Sequence, residues 1–183
     1  MPRDILAYAS SGAIRISKML RDGRQQIVAF QNMPGLIGRP FMQEEGLTFR
    51  AVTPVELHVI PRAVFEAVVD ANPAILRVLY RDLSRQLDEA RELLLTVGRK
   101  SARERVATLL HDLLRHDAVG SNKDRIVELH LTRAEMADLL SLTFETVSRH
   151  LAALHREGVV ALLDARRLQI RDLNLLRAAT GNG

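Results

Sequence analysis

Apolar positions recur in three rhythms along the chain. From Ile5 the stretch I-L-A-Y-A-S-S-G-A-I-R-I-S-K-M-L runs into R-D-G-R and then Q-Q-I-V-A-F. Asp22-Gly23 between the two is a hairpin signal, because both residues tolerate the positive φ such turns require. Gly12, Gly35, Gly38 and Gly46, with Pro34, Pro40 and Pro54, cut the chain up to about residue 60 into short pieces. That rhythm predicts the strands of an antiparallel sandwich or roll.

A seven-residue rhythm follows. Asn72-Pro73 opens a long helix, since Pro suits a first helical turn, and Gly98 is the expected stop. Leu76, Leu83, Ala90 and Val97 form one register, and Tyr80, Leu87 and Leu94 the interleaved one. Together they make an a/d seam flanked by Arg81, Arg85, Asp88, Glu89, Arg91 and Glu92. Such a face packs either on the chain's own sheet or on a second helix. A single apolar seam with charged flanks fits the two-helix contact better, so a homodimer helix is expected.

The last rhythm is mixed. S-A-R-E-R-V-A-T-L-L-H-D-L-L-R is helical, with Val106, Leu109, Leu110 and Leu113 on one face. G-S-N-K-D is a loop and R-I-V-E-L-H-L a short strand. Thr132 with Glu135 three residues on is a capping box for T-R-A-E-M-A-D-L-L. S-L-T interrupts, and Thr143 caps the helix F-E-T-V-S-R-H-L-A-A-L. E-G-V-V-A-L-L leads into a strand, D-A-R-R turns, L-Q-I-R returns, and D-L-N-L-L-R starts a last short helix. Helix, strand, helix, tight turn, helix and two-stranded wing is the order of a winged helix-turn-helix.

Composition narrows the function classes. The 183 residues are 47% hydrophobic and 26% charged, ordinary for a globular protein. With no cysteine, the chain can supply no disulfide, thiolate metal site or iron–sulfur cluster. The start M-P-R-D-I-L-A-Y-A-S-S-G holds no apolar stretch of signal-peptide length, and no run is long enough to span a bilayer. A cytoplasmic location is expected. Of the net charge of +4, the part from Gly98 onward carries 14 Lys and Arg against 11 Asp and Glu, a net of +3. That permits an anionic partner. No nucleophile–base–acid set, phosphate loop or metal spacing is present, so an enzyme is not expected.

Glu145 and Arg149 lie four apart, the spacing of a helix-stabilising ion pair and equally of two side chains on one groove-facing edge. Glu145, Ser148 and Arg149 project on one face. Arg can pair bidentately with guanine, Glu can accept from cytosine, and Ser can donate or accept. Val147, Leu151 and Leu154 should pack inward. Thr143 and Thr146 suit phosphate contact at the helix start, as does Thr132 at the preceding cap. Arg166 and Arg167 at the wing tip suit backbone contact or a solvated turn. His150 and His155 read as surface helix residues rather than ligands.

At T-R-A-E-M-A-D-L-L-S-L-T-F-E-T-V-S-R-H-L the chain resembles the recognition unit of the catabolite-activator/fumarate-nitrate-regulator (CRP/FNR) family of bacterial transcription factors. E-T-V-S-R is most similar to the FNR and FixK branch. The likeness takes in G-R-K-S-A-R-E-R-V-A, the long helix and the S-G-A-I-R-I…D-G-R-Q-Q-I strands, so it spans nearly the whole chain. It implies an α+β fold: a partial cyclic-nucleotide-binding-like β-roll over residues 1–71, a dimerisation helix over 72–98 and a winged helix-turn-helix over 99–183. By that likeness Glu145, Ser148 and Arg149 read TTGA-type half-sites in a palindrome of promoter DNA, and the protein acts on RNA polymerase. Ser141 departs from the family, which commonly has Gly there. If that position needs positive φ, a non-Gly residue carries strain of about 1 kcal/mol or more that the turn must tolerate.

The sensor part resembles a cyclic-nucleotide roll with a poor cassette. P-G-L-I-G-R-P-F-M-Q-E-E-G-L-T-F-R-A-V keeps Gly35, but its Glu is out of place and Arg50 precedes Ala51 rather than Ser or Thr. Arg39 reads as a solvated or ion-paired side chain. His58, in L-H-V-I-P, stands where the iron–sulfur branch carries a cluster cysteine, and a lone strand His is usually structural. No cofactor is expected. Family members usually carry several dozen residues before Ile5, so the roll is expected to be incomplete, through a start codon placed downstream or a truncated paralogue. A non-sensing subunit that pairs with a full-length relative is the alternative to a self-sufficient regulator.

Overall fold

A computed structural model describes residues 4–19, 21–42, 46–117 and 124–181. The chain divides between Arg91 and Glu92 into two compact units. The division falls inside one helix, because a long helix has no internal break at which its backbone hydrogen bonds lapse.

The first unit holds six strands: β1 (Ile5–Ser11), β2 (Ala13–Met19), β3 (Gln25–Asn32), β4 (Gly35–Ile37), β5 (Leu47–Ala51) and β6 (Glu56–Pro61). They form two antiparallel three-stranded sheets, β4-β1-β6 and β3-β2-β5, as the sandwich or roll expectation requires. Ala7, Ala9, Ile14, Ile16 and Ile37 make the core, with Leu47, Phe49 and Val55 packed against it. Gly12 switches the chain from one sheet to the other at φ 98°, where a Cβ would meet the Pro54 carbonyl oxygen at 2.3 Å. Asp22-Gly23 forms the β2–β3 turn, and the Asp22 carboxylate accepts from the Arg24 amide at 3.1 Å. β6 is an edge strand. Leu57 and Val59 sit opposite Ala9 and Ala7, on the core side of the sheet, yet about half of each is exposed.

Two helices follow, and the first was not foreseen. α1 (Arg62–Ala71) starts after Pro61 and buries Val69. α2 (Pro73–Arg99) runs for 27 residues, about 40 Å at the helical rise. Gly98 lies inside its last turn rather than ending it.

The second unit contains the end of α2, α3 (Ala102–Asp117), β7 (Ile126–Glu128), α4 (Arg133–Leu140), α5 (Phe144–Arg156), β8 (Val160–Leu162), β9 (Arg167–Ile170) and α6 (Leu173–Ala179). The loop expected at Gly120–Asp124 lies, except for Asp124, outside the described residues. β7 joins the two wing strands in a three-stranded sheet of order β7-β9-β8, so the wing is wider than the two-strand expectation. Val106, Leu110 and Leu113 of α3 pack in one core with Met136 and Leu140 of α4, Leu151 and Leu154 of α5, and Leu168 and Ile170 of β9. No helix among the described residues is long and apolar enough to cross a membrane.

The helices α4 and α5 meet in a left-handed turn. Ser141 takes φ 53°, ψ 48°, and the Leu142 amide donates to the Ala137 carbonyl at 2.8 Å. This satisfies end carbonyls of α4 in the pattern glycine usually serves. A serine Cβ in that region costs about 1 kcal/mol. Ser141→Gly should therefore raise stability by about 1 kcal/mol, read as a higher midpoint in denaturant unfolding of the second unit. An unchanged or lower midpoint would show that the turn carries no strain.

Candidate nucleic-acid interface

α5 is anchored by one face and left bare on the other. Val147, Leu151 and Leu154 are buried in the core. At 100° per residue this stripe turns Glu145 and Arg149 to solvent, with Ser148 half-buried between them. Thr143 caps the helix: its hydroxyl oxygen accepts from the Thr146 amide at 3.3 Å, and the two threonine hydroxyls lie 3.1 Å apart. Both threonines thus serve the helix start directly.

The ion-pair alternative for Glu145 and Arg149 is not what forms. Among the described residues no salt bridge joins them. The Glu145 backbone amide, then the Thr143 hydroxyl, hold the Glu145 carboxyl below the usual carboxylate range. An ionised carboxylate in the first turn is also favoured by the helix dipole. Among the described residues Arg149 reaches the Thr146 hydroxyl alone, at 3.5 Å, the outer limit of a hydrogen bond. The helix therefore presents an ionised acceptor and a charged five-donor fork on the same edge.

The flanking candidates are placed in different ways. Thr132 completes its capping box: it accepts from the Glu135 amide at 3.2 Å, and its own amide donates to the Glu135 carboxylate at 2.9 Å. Next to it, Arg133 is half-buried, its Nη1 has no partner among the described residues, and burial pushes its pKa down. At the wing tip Asp164 accepts from the Arg166 and Arg167 amides, both at 2.8 Å, and from the Arg167 side chain at 2.7 Å. Arg167 is therefore built into the turn, whereas the exposed Arg166 side chain is the one left to reach outward. His155 bonds through Nδ1 to the Val160 carbonyl at 3.1 Å, joining α5 to the wing. Burial, then Arg149 and Arg103, lower the pKa of His150.

Three side chains carry signals the sequence pattern hides. Phe144 lies seven residues before Leu151, in line with the buried stripe, so periodicity assigns it to the core. It stands on the first turn, beyond the core, and is 52% exposed one turn ahead of Ser148. Arg103 makes a two-pronged ion pair with Glu157 at the end of α5, one prong at 2.8 Å. Arg105 bonds to the Lys100 carbonyl, directly after α2, and to the Leu140 carbonyl at the end of α4. These two contacts span 54 and 35 residues, so only the fold reveals them.

On α2 the heptad seam is bare. Tyr80 and Leu94 are 71% and 70% exposed, and Leu76, Leu83, Leu87 and Ala90 are exposed too, with Val97 half-buried. The less exposed row is a different one, Ile75, Leu79, Leu93 and the buried Thr96. Charges beside the seam pair within the helix: Arg85 with Asp82 at 2.6 Å and with Glu89 at 2.5 Å, and Arg91 with Asp88 at 3.1 Å. In the first unit Arg39, Arg50 and His58 are all exposed, and Arg39 donates to the Met42 sulfur at 3.4 Å. Residues 43–45 of the cassette stretch lie outside the described residues.

Comparison with known proteins gives this geometry a family. Residues 104–179 match the Crp-like helix-turn-helix domain. A probable transcriptional activator of Rhizobium leguminosarum bv. viciae is 39% identical over 165 residues, 90% of this chain and 69% of that protein. The nitrogen fixation regulation protein FixK of Azorhizobium caulinodans is 38% identical over 91% of this chain and 68% of its own length. The solved structure of FixK2 from Bradyrhizobium japonicum superposes with a TM-score of 0.87 at 31% identity, covering 98% of this chain and 88% of that one. A cyclic-nucleotide-binding-like roll, a long helix and a winged helix-turn-helix occur here in that family's order. The chain belongs to the CRP/FNR family of transcription regulators, as a FixK-like member with a helix-turn-helix DNA-binding domain.

Proposed function

We propose that two copies of the chain join along α2 and bind a palindromic TTGA-type promoter site, acting there on RNA polymerase in the cytoplasm. In this reading residues 1–71 belong to the sensor domain, 72–98 are the dimer helix and 99–183 the DNA-binding part. Leu76, Tyr80, Leu83, Leu87, Ala90, Leu94 and Val97 form the seam between the copies. The observation that carries the reading is the bare edge of α5. Glu145 and Arg149 stand unpaired to each other beside Ser148, on a helix whose opposite face is fully buried.

Each side chain then has a role. Arg149 donates two hydrogen bonds to a guanine, and Glu145 accepts from a cytosine amine. Ser148 donates or accepts beside them. Phe144 supplies the apolar contact that a thymine methyl accepts. Thr132, Thr143 and Thr146 line the amide-rich helix starts that face phosphates, and Arg166 and Arg167 meet the backbone from the wing, with Arg166 the freer of the two. A two-fold dimer presents its two α5 helices to half-sites about 34–36 Å apart. No cofactor enters this reading.

Two outcomes are expected. Arg149→Ala should cost about 1–3 kcal/mol in binding and level the preference at the guanine of the half-site, measured with duplexes substituted at that one pair. Retained affinity and base preference would remove Arg149 from base reading. Leu87→Lys puts a charge in the seam and should convert a sedimenting dimer to a monomer. Binding to the palindrome should then weaken by about 10²-fold, as the second half-site no longer adds its share. A Leu87→Lys variant that stays dimeric would displace the seam. A wild-type chain that is monomeric alone, yet joins a longer relative, would favour the partner-subunit alternative.

A further inference from the structure

Arg105 has a place that DNA contact does not explain. It sits on the first turn of α3, immediately after the junction with α2. Its Nε donates to the Lys100 carbonyl at 2.9 Å. Its Nη1 donates to the Leu140 carbonyl at 3.0 Å and reaches the Ser141 carbonyl at 3.5 Å. One guanidinium therefore holds two stretches of backbone that lie far apart in sequence. Lys100 follows the seam helix directly, and its amide still bonds back to the Thr96 carbonyl at 3.1 Å. Leu140 and Ser141 are the strained end of α4, two residues before the cap of α5.

The chemistry suits this task. The last carbonyls of a helix lack partners within the helix and carry partial negative charge. A planar guanidinium offers donors in a fixed fork, so satisfying two acceptors also fixes their relative position; an ammonium does not impose that geometry. The residue two earlier, Arg103, grips Glu157 at the other end of α5. The first turn of α3 thus holds both the turn that leads into the reading helix and the residue that ends it.

We propose that Arg105 is a positioning residue for DNA reading: it ties the end of the seam helix to the α4–α5 turn and so sets how α5 is presented to the groove. The inference rests on the DNA-reading function above. Without this tie α5 rocks at Ser141–Thr143, and Glu145, Ser148 and Arg149 meet base edges out of register. Attraction to phosphates depends on charge and distance alone, so it survives a small tilt. Base discrimination does not survive it.

The test uses the full chain with Arg105→Lys, which keeps the charge, and Arg105→Gln, which keeps a planar donor. Hydrogen exchange of the Leu142–Val147 amides is followed without DNA. Binding to TTGA-palindrome and scrambled duplexes is measured across a salt series. Both variants should exchange faster at those amides and lose about tenfold in the palindrome-to-scrambled ratio. For Arg105→Gln the salt slope should stay that of the wild type. Unchanged exchange overturns the proposal whatever the DNA shows, so this arm separates its failure from failure of the DNA-reading function, which would appear as no discrimination by the wild type. A ratio kept by both variants overturns it. Full rescue by lysine makes charge, not the fork, the active property and overturns it. A salt slope lowered by about 0.9 in Arg105→Gln makes Arg105 a phosphate ligand and overturns it also.

Discussion

A helix that reads bases must be held completely by one face so that the other can be left bare. In α5 this constraint is met by Val147, Leu151 and Leu154, all buried, and much of the second unit is arranged to supply their floor. α3 contributes Val106, Leu110 and Leu113, and the wing strands contribute Leu168 and Ile170. Truncating a fully buried leucine in such a floor costs about 2–5 kcal/mol, whereas the exposed edge contributes almost nothing to stability. That asymmetry leaves stability little say in which residues stand at Glu145, Ser148 and Arg149. The Glu145–Arg149 spacing looked equally suited to an ion pair. In the structure Glu145 bonds to its first-turn amide and the Thr143 hydroxyl, Arg149 reaches the Thr146 hydroxyl, and among the described residues no salt bridge joins the two.

The same logic governs the ends of the helix. Capping by Thr132 and Thr143 was legible in the sequence because a cap is local, made between residues three apart. The Ser141 turn was legible as a departure from a family glycine, and its positive φ follows from the geometry that ends α4 and starts α5 in so few residues. Arg105 and Arg103 were not legible. Their partners lie 35 and 54 residues away, and nothing in local pattern links an arginine to a distant carbonyl or carboxylate. Phe144 was hidden for the opposite reason: its spacing is that of a core residue, and only its place on the first turn, past the edge of the core, exposes it. α1 went unseen because its apolar residues, Val64, Phe65, Val68 and Val69, follow a strand run with only Pro61, Arg62 and Ala63 between. β7 was expected as a strand, but its pairing with the wing is a long-range fact.

The two rows on α2 show how far periodicity carries. The heptad pattern identified an apolar seam but could not say whether the chain's own sheet consumes it. In the structure Tyr80 and Leu94 stay bare while Ile75, Leu79 and Thr96 occupy the more sheltered row. In the first unit the strands were legible from turn residues, and Gly12 and Asp22-Gly23 mark the reversals found. How far the core reaches was not legible. Leu57 and Val59 are strand residues opposite the buried Ala9 and Ala7, yet about half of each is exposed. Their alternation carries no information about whether a neighbouring strand exists.

The most direct test of the account is equilibrium binding of the wild-type chain to a TTGAC-N4-GTCAA duplex, to the same duplex with one half-site scrambled, and to one with both scrambled, across a salt series. A dimer reading bases through α5 predicts strong preference for the intact palindrome, a large loss when one half-site is removed, and discrimination that persists as salt weakens all three. Equal affinity for the three duplexes, falling together with salt, would leave only phosphate attraction and contradict the role assigned to Glu145, Ser148 and Arg149.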